Sequence, residues 1–315
     1  MKGLGGIILG FCLLPVALQA YLYDIKALRK WHPEYNRYHY FIGCCDFHDK
    51  THVANPIQRK RIEELLPAYD PASVLVLVED LSSPNDTGRL GCGSYFINSR
   101  VGILAGLGSY CKDCHIPFTN VEYRYCRVVA LGPVINNLSA DPSAFPSTKR
   151  MTVSHLMQEI EQTYNDLLFS SMTSSFKNQF MEISRTVNKS MENLNLMNNH
   201  QKSIAEYLAS TTTPANRLEV VKNLLTFDGI LIGFKLVDAT IKASEKEKVI
   251  AFAGGTHITE AYDLLQKIDN WEPVSHSELS TIKASIARGI GANVVESKGK
   301  PQPISLELID HYLNR

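Results

Sequence analysis

The chain has 315 residues, 44% apolar and 20% charged, enough for one large domain or two small ones. Its 32 basic side chains equal its 32 acidic ones, so the formal net charge is zero. That balance excludes a protein that holds nucleic acid or anionic lipid by a basic field alone.

The first segment, MKGLGGIILGFCLLPVALQA, places Lys2 before an apolar run from Ile7 to Leu18 and ends on the small residue Ala20. This order is that of a secretory signal peptide over residues 1–20. Tyr21, Asp24 and Lys26 follow too soon for a comfortable membrane span. Export to the periplasm or the extracellular space is expected, with membrane attachment only if the segment is retained. Residues 21–315 are read as a single α/β domain.

Cys12 leaves with the signal segment, and Cys44, Cys45, Cys92, Cys111, Cys114 and Cys126 remain, all in the first half of the chain. An even count in an exported protein points to disulfides. The CKDC spacing from Cys111 to Cys114 also suits a zinc knuckle or a redox pair, though a second matching pair is absent.

Predicted elements alternate in the first block. HYFIGCC (39–45) is β-branched and aromatic and reads as a buried strand. NPIQRKRIEELLPA (55–68) reads as a helix, with Asn55 as cap and Pro56 at the first helical position. SVLVLVE (73–79) is a nearly continuous apolar run, the mark of a strand covered on both faces. Residues 99–114 read as a glycine-weakened helix and IPFTNVEYR (116–124) as another strand. This order predicts a mostly parallel sheet flanked by helices.

Residues 131–148 carry three prolines and read as a loop. From about 151 to 210 the chain is polar, rich in Met and free of Pro and Gly, which predicts a long helical insertion. The insertion is either structural or a lid or partner surface. Thr213 then caps a helix with Pro214 at its first position. LVDATIKASEKE (236–247) reads as a further helix. In KVIAFAGGTHI, Val249 to Ala253 forms a strand, Gly254-Gly255 a tight turn and His257 the start of the next helix. ISLELIDHYL (304–313) reads as a last helix.

In an open parallel sheet the carboxyl ends of the strands share one edge, and ligands bind there. The four predicted strands run out into Asp46 and His48, into Glu79 and Asp80, into Glu122 and Arg124, and into His257. His48 and His52 are four apart, but the adjoining Asp46 and Asp49 make a loop the better reading, with His52 a solvated residue. Two histidines and two carboxylates can hold a divalent metal whose water attacks a carbonyl. Alternatively, a histidine–carboxylate pair activates water directly. No Gly-x-Ser-x-Gly elbow is present, which disfavours a serine hydrolase, and RLGCGSY (89–95) is too short for a dinucleotide fingerprint.

YFIGCCDFHDKTH followed by IEELLPAYDPASVLVLVEDLS resembles the opening of the TraB family. The wider group includes secreted TIKI-type metalloproteases, ChaN-like haem-binding proteins and erythromycin esterases. LVDATIKASEKEKVIAFAGGTHI is similar to the family's closing part, with Asp238 on the helix and Gly254 to His257 as its Gly-x-x-His motif. Gly43 and His48 stand further apart than in the family's first motif, and Val237 stands where the family usually has Arg. The resemblance implies catalytic residues His48, Glu79, His257, Glu122 and Asp238, with His48, Glu79 and His257 as ligands of a divalent metal. It implies a hydrolase of peptides or esters, or a non-catalytic protein that binds a small ligand or a partner on the same scaffold.

Overall fold

The computed structural model describes residues 22–46, 56–80, 82–83, 104–122, 151–169, 197–210 and 231–290, with single helical positions between 176 and 189. The signal-like segment, His48, His52, Arg124, residues 131–148, Thr213 and the 304–313 segment lie outside the described residues. So do Cys92 and Cys126. Among the described residues no helix is long and apolar enough to cross a membrane.

The protein is an α/β fold built on a six-stranded mixed sheet. The strands are β1 (Leu22–His32), β2 (Arg37–Asp46), β3 (Val74–Val78), β4 (Phe118–Asn120), β5 (Lys248–Gly254) and β6 (Glu272–Pro273). They stand in the order β4-β3-β5-β2-β1-β6. The expected parallel pairings hold for β4, β3, β5 and β2. β1 lies antiparallel between β2 and β6, and this makes the sheet mixed rather than mostly parallel.

The departure has a physical reason. Ala27, Leu28, Arg29 and Lys30 favour helix in isolation, yet β1 pairs along nearly the whole of β2, from His32 opposite Arg37 to Leu22 opposite Asp46. Asn36 turns the hairpin at φ 50°, a left-handed conformation that Asn tolerates. Cross-strand pairing over that length overrides local propensity.

Helices cover both faces. Among the described residues they include α1 (Pro56–Leu65), α2 (Leu107–Asp113), α3 (Val153–Phe169), α4 (Ile204–Ser210), α5 (231–242), α6 (Gly255–Asp269) and α7 (His276–Ile290). On one face α3 to α6 pack with Phe41, Cys45, Leu77, Ala251 and Ala253. On the other, α1, α2 and α7 pack with Ile42, Cys44, Val76, Val78 and Phe252. α5 already includes residues 231–235, before the expected start at 236, and it ends at 242 rather than at 247. Its residues 231–240 are all buried, so it is a central helix of the first layer.

Cys44 and Cys45 therefore fall in different cores, because neighbours in a strand alternate sides. Burial pushes the Cys45 thiol up to about 12, so it holds its proton at neutral pH. Among the described residues Cys44, Cys45, Cys111 and Cys114 form no disulfide with one another.

His39 marks a pH-sensitive part of the core. It is 1% exposed, and neither ring nitrogen has a hydrogen-bond partner among the described residues. Its ring meets Trp271 edge-on at 5.0 Å and His32 at 5.6 Å. Burial, helped by His32, Arg37 and Lys30, pushes this imidazole down to about 3. The unfolded chain binds the proton near pH 6.5. Stability is thus complete above that pH and falls as the pH drops towards 3. Between pH 7 and pH 5 the loss is expected to be about 2 kcal/mol, read from urea midpoints at the two pH values. His39→Phe should abolish this part of the acid sensitivity, and an unchanged loss would reject the assignment.

Candidate functional site

The expected edge forms where β3, β5 and β2 end side by side. Asp46 lies opposite Gly254, and Val78 lies opposite Phe252. The Glu79 N–H donates to the Phe252 carbonyl at 3.0 Å, so Glu79 continues β3 along β5. One strand further out, the Val121 N–H donates to the Val78 carbonyl at 2.8 Å, which brings Glu122 to the same edge.

β5 runs directly into α6. Gly254 caps the helix at φ −55° and ψ 140°, ordinary extended values. Gly106 is the only glycine at positive φ among the described residues, so the Gly254-Gly255 junction is made without a left-handed residue. The Gly254 N–H donates to Glu79 Oε2 at 2.7 Å. A carboxylate there meets the positive end of α6 and satisfies one of the N–H groups that no helical carbonyl can reach.

His257 stands in the first turn of α6. Its Nε2 lies 3.7 Å from Glu79 Oε1, and its Nδ1 lies 3.6 Å from Glu260 Oε2, one turn along the helix. The three side chains are 11%, 1% and 9% exposed, so the line from Glu79 through His257 to Glu260 is shielded yet open at the imidazole. At these distances the groups are in electrostatic contact, and small side-chain movements close them into hydrogen bonds.

Two expected residues, Glu79 and His257, are therefore brought together. Glu122 is 1% exposed, and its N–H donates to Asn120 Oδ1 at 3.1 Å. Asp238 is buried on α5, with Lys242 Nζ at 2.6 Å and Lys235 Nζ at 4.0 Å. Among the described residues its ion pairs are with its own helix. His48 lies outside the described residues.

Asp80 follows Glu79 but faces the opposite layer, where both oxygens accept hydrogen bonds from the turn and from the start of α2. It is a structural carboxylate. Glu260 was missed from sequence: three residues after His257 on a helix, it has the spacing of an ordinary surface pair. The i, i+3 spacing from a site histidine was the one available signal.

Among the described residues no group of three or more His, Cys, Asp or Glu side chains is placed to hold a metal ion. The pair itself has the right donors. Imidazole nitrogen and carboxylate oxygen both ligate zinc at roughly 2.0–2.2 Å, and their 3.7 Å separation lets one ion reach both. Comparison of the chain with protein-family models, curated proteins and solved structures returned no match.

Proposed function

We propose that the protein is an exported, TraB-like hydrolase that cleaves a peptide or ester bond at the carboxyl edge of the sheet. The observation that carries this reading is His257 Nε2 facing Glu79 Oε1 across 3.7 Å, beside the end of β5. Nε2 takes the proton from an attacking water, and the Glu79 carboxylate stabilises the imidazolium that forms. The Gly254 N–H fixes the carboxylate through its other oxygen, so Glu79 is oriented before substrate arrives. Export is part of the proposal and rests on the charged, apolar and small-residue order of residues 1–20.

Glu79 and His257 could also hold a divalent metal, with His48 as the third ligand that the family resemblance implies. A bound ion would lower the pKa of its water. The metal-assisted and the direct routes both require the same two side chains.

Purified protein is expected to turn over one class in a panel of peptides and esters. His257→Ala and Glu79→Gln should each lower kcat/KM by about 100-fold or more while keeping the circular dichroism of the parent. Turnover that survives in both variants would reject the site.

A further inference from the structure

We infer that Glu260 is a positioning residue that holds the hydrogen of His257 on Nδ1 and so leaves Nε2 to exchange protons at the Glu79 side. The inference rests on the hydrolase reading for its purpose. Its geometry stands independently of that reading.

Neither His257 Nδ1 nor Glu260 Oε2 has a hydrogen-bond partner among the described residues, although both atoms are buried. Each is the other's ion-pair neighbour at 3.6 Å. A buried donor and a buried acceptor left apart are costly, so the pair closes. An ionised carboxylate only accepts, so closure requires the hydrogen to sit on Nδ1.

The two carboxylates beside the ring are not equivalent. Glu79 Oε2 already accepts the Gly254 N–H at the positive end of α6. Glu260 Oε2 has no such donor, so it competes more strongly for the imidazole hydrogen. Room for Glu260 comes from α5. A Cβ at Gly233 would lie 3.1 Å from both Glu260 Cβ and Oε2, so the glycine leaves the space that the Glu260 side chain occupies.

The test is the tautomer of His257, read by nitrogen NMR on the full chain labelled at histidine and without substrate. Loss of one signal in His257→Gln assigns the residue. In the parent the neutral ring should carry its hydrogen predominantly on Nδ1, because Glu79 already accepts the Gly254 N–H and Glu260 Oε2 has no such donor among the described residues. Glu260→Leu leaves Glu79 as the acceptor, so the hydrogen should move to Nε2. In Glu260→Gln the Nδ1–H resonance should move upfield, and this isosteric variant decides the question if the leucine variant does not fold. A parent ring with its hydrogen on Nε2, or variants indistinguishable from the parent, would overturn the inference. Because no turnover is measured, an inactive protein with the expected tautomer change would reject the hydrolase reading alone.

Discussion

Asp80→Ala is expected to cost the fold about 3–5 kcal/mol, the scale of exposing several buried donors without an acceptor. Asp80 is fully buried. Its Oδ1 accepts from the Ser82 N–H at 2.9 Å, the Ser82 hydroxyl at 2.7 Å and the Gly106 N–H at 3.0 Å. Its Oδ2 accepts from the Ser83 hydroxyl at 2.6 Å and the Gly108 N–H at 2.9 Å. Asn120 locks the backbone beside it, accepting from the Asp80 N–H at 3.1 Å and donating to the Asp80 and Ser83 carbonyls at 2.9 and 2.8 Å. The hydrogen bonds to its oxygens among the described residues come from hydroxyl and backbone N–H dipoles, among them those at the start of α2. Alanine would orphan the Gly106 and Gly108 N–H groups together. A lower urea midpoint at unchanged slope is the expected readout, with faster exchange of those two amides. A loss below about 1 kcal/mol would show that water replaces the carboxylate without penalty.

Gly43→Ala is expected to destabilise by about 3 kcal/mol, at the upper end of ordinary overpacking. A Cβ at Gly43 would lie 2.3 Å from Ile258 Cγ2, with Ile258 Cδ1 and Phe41 Cε1 both at 3.3 Å. Ile258 and Phe41 are fully buried, so neither can swing into solvent. The glycine is therefore needed for the close approach of α6 to the middle of the sheet. Because Ile258 follows His257, displacing α6 would also move the imidazole. Ile258→Ala removes the clashing methyl and should recover part of the loss, a coupling that a double-mutant cycle in urea measures. Strictly additive effects would mean that the strain is relieved elsewhere.

The sheet was legible where sequence and burial agree. The apolar run of Val74 to Val78 can only be a strand covered on both faces, and the carboxylate after it falls at the edge. His257 was legible because a strand and a helix meet just before it. β1 was not, because its helix-forming residues become a strand only through pairing with β2. The opposed roles of Glu79 and Asp80 follow from the alternation of side chains along a strand. Which of the two faces the site, however, depends on which helices lie on which face. Glu260 was hidden because an acidic residue on an amphipathic helix is usually solvated, whereas here α5 approaches it closely at Gly233.

The central claim is that His257 and Glu79 act as one unit on a hydrolysable bond. It is tested most directly by kcat/KM for the parent, His257→Ala, Glu79→Gln and the double variant, on whichever substrate the parent turns over. The account predicts that the double variant is no slower than the slower single variant, because either change alone dismantles the pair. Full multiplication of the two losses would contradict it, since the residues would then contribute independently.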